Sequence, residues 1–341
     1  MSRRKRHILY LGEDRGTSLH RANALRRLGH VVTLVWPERL LPAIPMLERW
    51  AWHAGGLFLE EMVRRRVMAL NVRADLVLVT HGELIGPRLV ADLRSKFGPV
   101  INYNADDPFG KRDGRRWRLY LKSVPQYDLV VVVRKENVAE ARNFGARKVM
   151  HRVRTADEVE HAPGADSEVS ERRWASEVSF IGTWMPERGH FFAELGARGI
   201  PLTIYGDRWD RAQEWPALER YWRGPALSGA DYRDAIKYSK ICIGILSSGN
   251  RDLHTHRSVE IPYIGSLLCA ERTTEHRELY REGEEAVFWS SASECAEICT
   301  SLLANDTNRR RIAANGQRRA LKNGHVNEAL MSGIIEAAGD L

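Results

Sequence analysis

The sequence predicts an α/β protein made of two doubly wound domains, and three observations support this. The chain has 341 residues, which is enough for two hydrophobic cores. Short apolar runs alternate with helical patterns in both halves, as in parallel sheets flanked by helices. Residues 155–177 interrupt the alternation with a polar, acidic stretch around Pro163 and Gly164. We therefore expect two open sheets facing each other across a central cleft.

Ten apolar runs predict the strands of the two sheets. Those of the first half span residues 8–11, 31–35, 76–79, 100–103 and 129–133, and those of the second span 178–182, 202–206, 241–246, 266–270 and 286–289. Strands buried on both faces lose the alternation of apolar and polar residues, so these runs indicate parallel sheets. The expected domains are 1–160 and 178–325, with a linker at 161–177. Residues 326–341 should form a helix that packs back on the first domain.

Composition and charge narrow the function classes. The net charge is +8, which favours anionic ligands or an anionic surface. The basic residues are scattered, without interleaved aromatic residues, so direct nucleic-acid binding is not expected. No apolar run approaches the roughly 20 residues that span a bilayer. The run at 8–11 is too short for a signal-peptide core, and this predicts a cytoplasmic protein.

The cysteines predict neither a disulfide framework nor a zinc site. Cys242, Cys269, Cys295 and Cys299 show no CxxC spacing, and two of them fall inside predicted strands. We expect four reduced core residues.

The segment 40–70 has two interpretations. Its apolar residues stand among Arg49, Arg64, Arg65 and Arg66. A long helix packed on the first sheet would keep these arginines in water. A basic amphipathic helix would instead make a peripheral contact with the inner face of a membrane.

Two acidic residues follow the fourth predicted strand. Asp106 and Asp107 stand before Pro108, at the edge of the sheet where ligands of α/β proteins bind. Adjacent carboxylates could supply a general base or bind sugar hydroxyls. They could equally form an Asx-turn that caps the strand.

The second half offers an anion site after its first strand. Gly182 and Thr183 precede a helix that should begin near Pro186, and Arg188 follows. Free N–H groups at a helix start, together with a guanidinium, suit a diphosphate. The loop at 12–18 could bind an anion in the same way, but it is neither GxGxxG nor Walker A. In both places the alternative is an ordinary turn that connects a strand to a helix and binds no ligand.

The densest polar cluster precedes the strand at 266–270. It contains His254, His256, Arg257 and Glu260. A guanidinium can bridge two phosphate oxygens, and a carboxylate can accept two ribose hydroxyls. The histidines do not have HExxH spacing, so we predict no metal site.

This part of the chain resembles the CgeB/YkvP spore-protein-like glycosyltransferases. The resemblance lies in the run His256-Arg257-Ser258-Val259-Glu260-Ile261-Pro262, in Gly265, in Glu271-Arg272-Thr273-Thr274-Glu275-His276, and in the Glu282-Gly283-Glu284-Glu285 segment that follows. The family wording is close to R-T-F-E-I-P-A-C-G-G-F-L-L-x-E-R-T-x-E-H. Ser258, Tyr263 and Ser266 depart from it. Asp252 stands where related enzymes often carry a glutamate.

The resemblance implies the GT-B fold and glycosyl transfer from a nucleoside diphosphate sugar, without a metal or other cofactor. It places the donor on the second domain and the acceptor on the first. Glu260 would bind the ribose, and Arg257 would act in catalysis by neutralising the diphosphate with Arg188 and the N–H groups after Gly182 and Thr183. The other expected donor contacts are His254, His256, Glu271, Arg272, Thr273, Thr274 and Glu275.

Several points stay open at this stage. Asp106, Asp107 or His20 would be the base that activates the acceptor hydroxyl. The acceptor could be a glycan, a lipid, a protein or a small molecule. The alternatives to transfer are a nucleotide-sugar epimerase or hydrolase on the same fold, and a non-catalytic binding protein.

Overall fold

The computed structural model describes residues 5–42 and 53–339, and the chain divides into two compact units. The first unit comprises Met1–Val153 and Asn327–Leu341, and the second comprises Arg154–Val326. Each unit contains one six-stranded parallel sheet with helices packed on it. The predicted doubly wound α/β fold class is thus confirmed.

The first unit is built on strands paired in the order β2-β1-β3-β4-β5-β6. Their bounds are β1 His7–Leu11, β2 Val31–Val35, β3 Leu76–Thr80, β4 Val100–Asn104, β5 Leu129–Val132 and β6 Val149–His151. The helices between them are α1 Gly16–Arg27, α2 Glu60–Met68, α3 Pro87–Phe97, α4 Arg118–Ser123 and α5 Lys135–Asn143. The chain order reverses between β1 and β3, so their carboxyl ends form the topological switch point of this sheet.

Alternate residues of these strands enter two different cores. Leu9, Val77 and Val130 pack on one face of the sheet, and Ile8 and Leu78 pack on the other. This follows from the period of two along a strand. Burial on both faces accounts for the unbroken apolar runs in the sequence.

The segment predicted as a basic amphipathic helix is described only in part. Residues 43–52 of the 40–70 segment lie outside the described residues. Helix α2 buries Val63 and Val67 in the first core. Arg64 donates to Asp92 at 2.6 Å, and Arg65 donates to Glu61 at 2.8 Å. The described part of this segment therefore packs on its own sheet, and a membrane contact stays a prediction.

The second unit is built on strands paired in the order β12-β11-β10-β7-β8-β9. Their bounds are β7 Ser176–Ile181, β8 Leu202–Tyr205, β9 Trp222–Gly224, β10 Ser239–Gly244, β11 Leu267–Glu271 and β12 Val287–Trp289. The helices are α6 Glu168–Trp174, α7 Pro186–Ala197, α8 Trp215–Leu218, α9 Gly229–Lys237, α10 His256–Ile264, α11 Thr274–Leu279, α12 Ala292–Ala304 and α13 Asp306–Asn323.

Two chain segments do not lie where a simple division of the sequence into two domains and a linker would place them. The stretch predicted as a linker at 161–177 belongs to the second unit, where Ser167 caps α6 and Trp174 is buried against Tyr205. Polar residues of this stretch bond to other parts of the protein. The amino-acid composition alone does not show whether such residues bond within the protein or to water. The last helix, α14 (Asn327–Gly339), lies in the first unit. There Met331 and Ile334 join the core that contains Leu25 of α1.

Among the described residues, none of the helices combines the length and apolar character needed to span a bilayer.

Candidate functional site

Most of the predicted donor-site residues lie in the second unit, in the turns and helix starts that follow β7, β10 and β11. These strands are neighbours in the sheet and run parallel, so their carboxyl ends share one edge. That edge is where open α/β sheets bind ligands. Some side chains there face the turn after β7. The others form hydrogen bonds that connect the loops and helices of this edge.

Helix α10 brings a histidine and an arginine to this edge. Its N-cap is Thr255, which forms a capping box with Ser258. His256 and Arg257 are its first two residues, and the first turn contains no acidic residue. A cation at a helix N-terminus opposes the positive end of the helix dipole and is unfavourable by itself. Binding an anion there would reverse this penalty.

The guanidinium groups of Arg257 and Arg188 are fixed on the turn between β7 and α7. Arg257 Nε donates to the Ile181 carbonyl oxygen at 2.5 Å, at the end of β7. Arg188 Nη1 donates to the Thr183 carbonyl oxygen at 2.6 Å. The turn between them contains Gly182, and α7 begins at Pro186 as predicted. Two cations and a helix start therefore converge on one short turn, a suitable arrangement for a diphosphate.

A glycine permits the close backbone approach beside this turn. Gly206, after β8, has φ +150°, and a Cβ built there would lie 1.9 Å from the Gly182 carbonyl oxygen. The same carbonyl accepts a hydrogen bond from Trp209 Nε1 at 2.9 Å. Any side chain at position 206 would push the turn away from Trp209 and move the N–H groups that follow Gly182.

Glu260 is buried and held by two partners. The Tyr232 hydroxyl donates to Glu260 Oε2 at 2.5 Å. His161 Nδ1 accepts from the Asp157 N–H, so its Nε2 carries the proton and faces Glu260 Oε1 at 3.7 Å. An ionised carboxylate offers about four acceptor positions, so these contacts leave some unused. The partners fix the orientation of the group predicted to hold the ribose.

Glu271 ends β11 and lies next to the β10 loop. Its Oε1 accepts from the Leu246 N–H at 2.6 Å. Burial raises the pKa of Glu271, while the hydrogen bond from Leu246 and the charge of Arg188 oppose the rise. Of the segment 271–275, Glu271 is the residue with an electrostatic link to the turn after β7.

The remaining side chains of 272–275 mostly serve the scaffold. Arg272 donates to Glu282, Glu294 and the Phe288 carbonyl oxygen, which ties β11 to β12 and α12. Thr273 caps α11 and donates to the Leu253 carbonyl oxygen at 2.6 Å. Thr274 is exposed. Arg272 and Thr273 thus bond to other parts of the second unit, and their contacts with the donor stay predictions.

A buried polar network lies behind α10. Glu275 Oε2 pairs with His254 Nδ1 at 2.5 Å, and His254 Nε2 accepts from the Arg154 N–H. Arg154 Nη1 donates to Asp252 Oδ1 at 3.0 Å. His254 therefore accepts at Nε2 and donates from Nδ1 to Glu275. It holds the loop before α10, and its contact with the donor stays a prediction.

His276 joins the two polar groups. Its Nδ1 lies 2.6 Å from the Glu271 carbonyl oxygen and its Nε2 lies 2.7 Å from Ser258 Oγ. Because a carbonyl oxygen can only accept, Nδ1 carries the proton of the neutral imidazole, and Nε2 accepts from the Ser258 hydroxyl. The neutral imidazole thus connects the end of β11 to the first turn of α10, which carries Arg257.

This geometry predicts that His276 makes stability depend on pH. Burial lowers its pKa to about 4 from an ordinary value of 6.5. Between these values the unfolded chain binds the proton and the folded chain does not, so stability is lost as pH falls from 6.5 to 4. The slope should be on the order of 1 kcal/mol per pH unit. Urea unfolding of wild type and His276→Gln at several pH values would measure the difference. The exposed His190→Gln is the control, and equal slopes for wild type and His276→Gln would refute the assignment.

In the first unit, Asp106 is the accessible acidic residue after β4. Its carboxylate lies 4.0 Å from His81 Nε2 and 3.6 Å from Arg116 Nη2, and its side chain is 38% exposed. Asp107 is buried, and it accepts from the Gly110 N–H and from Asn137 Nδ2. Asp107 thus stabilises the turn, and Asp106 is the more exposed of the two carboxylates. His20 is half-buried on α1.

His81 is a candidate site residue that was not predicted from the sequence. His81 follows β3 at the topological switch point and has φ +58°, which is uncommon for a non-glycine residue. Two asparagines, Asn102 and Asn104, donate to its carbonyl oxygen at 3.2 Å and hold this conformation. Left-handed residues at strand ends are often functional. The nearest sequence signal was the polar Asn102 and Asn104 inside an otherwise apolar strand.

Sequence comparison matches residues 188–336 to a family described as glycosyl transferase-like. The matched range contains Arg188, Arg257, Glu260 and Glu271. The narrower CgeB/YkvP assignment stays a prediction. A search of the curated proteins finds no match.

Solved structures match the chain over nearly its whole length. Sucrose-phosphate synthase from Thermosynechococcus elongatus has a TM-score of 0.71 at 13% identity and covers 99% of both chains. HepE from Anabaena, solved with UDP and glucose, has a TM-score of 0.66 at 12% identity and covers 98% of this chain and 100% of its own. A UDP-forming trehalose-phosphate synthase from Burkholderia xenovorans has a TM-score of 0.64 at 12% identity and covers 98% of both.

Identities this low establish the fold alone, and the family match supports a transferase through the residues it spans. The chain therefore has the GT-B fold, and residues 188–336 are similar in sequence to a glycosyl transferase-like family.

Proposed function

We propose that this protein transfers a sugar from a nucleoside diphosphate sugar to a hydroxyl acceptor without using a metal ion. The observation that carries the proposal is the convergence of Arg257 and Arg188 on the turn after β7, at the start of α7. The match of residues 188–336 to a glycosyl transferase-like family supports the same conclusion.

The chemistry of the leaving diphosphate explains why two arginines would be needed at this turn. As the bond between sugar and diphosphate breaks, negative charge grows on the diphosphate and must be stabilised. Arg257 and Arg188 stay charged at every physiological pH and can each donate to two phosphate oxygens. The N–H groups that follow Gly182 add the positive end of α7. These groups take the place that a divalent cation would otherwise fill.

The buried carboxylates next to this turn would bind the rest of the donor. Glu260, oriented by Tyr232 and His161, accepts the two ribose hydroxyls, and Glu271 contacts the sugar. HepE was solved with UDP and with UDP-glucose, and the trehalose-phosphate synthase is named as UDP-forming. UDP-sugars are therefore the donors to test first.

The acceptor would be activated by the first unit. Asp106 is partly exposed, lies near His81, and pairs with Arg116, so its carboxylate is available to accept a hydroxyl proton. Arg116 also pairs with Glu83 and Asp113, which fixes the guanidinium beside Asp106. The acceptor itself remains open among glycans, lipids, proteins and small molecules.

Donor binding and product analysis test the proposal together. The full chain is heated with UDP-, GDP-, dTDP- and CMP-sugars in the presence of a chelator. The correct donor at 100 times its Kd should stabilise the fold by about 2.7 kcal/mol. A donor labelled in its sugar then shows whether the label reaches an added acceptor, returns as an epimer, or is released to water. The last two products would replace transfer by epimerisation or hydrolysis. If no nucleotide sugar raises the melting temperature, a non-catalytic binding protein is favoured and the proposal fails.

A further inference from the structure

Three of the four cysteines meet inside the second unit. Cys269 lies on β11, and Cys295 and Cys299 lie one turn apart on α12. The sulfur atoms of these three residues, which we call the thiol cluster, all lie within 4.8 Å of one another. Cys269 Sγ and Cys295 Sγ are 3.9 Å apart. The sequence spacing does not reveal this cluster, because its residues come from two elements.

The thiol cluster is enclosed by the apolar core. All three cysteines are fully buried, and their neighbours in this core include Leu267 and Ala296. Cys242 differs from them, because its sulfur accepts from Ser179 Oγ and donates to the Ile236 carbonyl oxygen. Within the thiol cluster, the thiols of Cys269 and Cys295 are hydrogen-bonded to each other. The three sulfurs thus face each other and no described carboxylate or imidazole completes the group.

The spacing fits a three-coordinate metal ion. A metal at about 2.3 Å from each of three sulfurs in a plane requires sulfurs about 4.0 Å apart. The observed separations need only small side-chain movements to reach this value. Zinc in structural sites takes four ligands, and the described residues supply three. Soft thiolate ligands select monovalent copper, for which three sulfurs are sufficient.

We propose that the thiol cluster of Cys269, Cys295 and Cys299 is a binding site for one soft metal ion, with monovalent copper as the fitting ion. Each thiol that becomes a ligand gives its proton to solvent, and the metal does not change its oxidation state. Because only the folded unit brings β11 and α12 together, the ion should bind the folded chain and stabilise it.

A competition experiment tests the site. The reduced full chain is titrated with monovalent copper against a chromogenic copper chelator under anaerobic conditions. Wild type should withdraw about one ion per chain. Replacement of a ligand, as in Cys299→Ser, should weaken retention at least tenfold, and Cys242→Ser should behave as wild type. The proposal is overturned if wild type and Cys299→Ser yield copper to the chelator equally.

A second measurement distinguishes a loss of copper binding from a folding defect in a variant. Melting temperatures are recorded for each variant with and without copper, so that an intrinsic loss of stability is separated from a loss of binding. Copper should raise the melting temperature of wild type and Cys242→Ser, and should leave those of Cys295→Ala and Cys299→Ser unchanged. An equal rise in all four proteins would place the metal elsewhere and refute the thiol cluster as its site.

Discussion

Replacing Arg257 by alanine should lower turnover on the order of 100-fold or more while the protein stays folded. Loss of one group that stabilises developing charge typically costs about 3 kcal/mol of barrier. Arg257 is half-buried, and its bond to the Ile181 carbonyl oxygen fixes it beside the proposed diphosphate site. The kcat and KM for the donor would be measured with a coupled assay for the released nucleotide, and folding would be followed by thermal unfolding.

Two matched variants make the Arg257 result specific. Arg172 is an exposed arginine on α6, so Arg172→Ala removes the same charge from the second unit without touching the edge. It should keep wild-type kinetics. Arg257→Lys keeps the charge but loses the forked geometry, so it should recover only part of the rate. Wild-type activity in Arg257→Ala would refute its role in stabilising the leaving group.

The sequence predicted the sheets well where strands are buried on both faces. All ten predicted strands occur, and eight of them lie inside their sheet, where burial on both faces produces a continuous apolar run. Strands β6 and β9 were missed. Each has three residues and ends its sheet, and Trp222 and Arg223 of β9 are exposed. Strands β2 and β12 also end their sheets but are almost entirely apolar, which made them predictable. Strands β6 and β9 are short and include His151 and Arg223, so they carry no strong pattern.

The sequence predicted where the candidate residues lie on the sheet better than it predicted which groups they bond to. The motif from Glu271 to His276 lies at the edge where the sequence predicted it. Arg272 and Glu275, however, are bonded to Glu294 and His254 within the protein. A charged residue near a strand end has the same sequence signature whether its partner is a ligand or another side chain. Only the structure shows which partner it has.

The first unit illustrates the same limit. Asp106 and Asp107 are adjacent and chemically identical, yet one is partly exposed beside His81 and the other is buried against Asn137. Successive residues after a strand point in different directions, and a turn decides which of them reaches solvent. The left-handed conformation of His81 depends on bonds from Asn102 and Asn104, which lie on another strand. Such long-range causes leave no local pattern.

Asp252 is the residue whose role the sequence left in doubt, since related enzymes often carry a glutamate at this position. In the structure it forms a buried ion pair with Arg154, and the two side chains are 6% and 8% exposed. Arg154 also donates to the His254 carbonyl oxygen, so the pair ties the start of the second unit to the loop before α10. Asp252 therefore acts behind the site, where it supports the helix that carries Arg257.

Replacing Asp252 by alanine should lower the free energy of unfolding by about 3–5 kcal/mol, because it leaves the Arg154 guanidinium buried without its carboxylate. Urea unfolding monitored by tryptophan fluorescence would measure the change. The double variant with Arg154→Met and Asp252→Leu removes both charges and should regain much of the loss, since apolar groups of similar size can replace a buried ion pair. A loss below about 1 kcal/mol in Asp252→Ala, which is usual for exposed pairs, would contradict the buried role. Recovery of stability in the double variant without recovery of donor binding would show that the ion pair also positions α10.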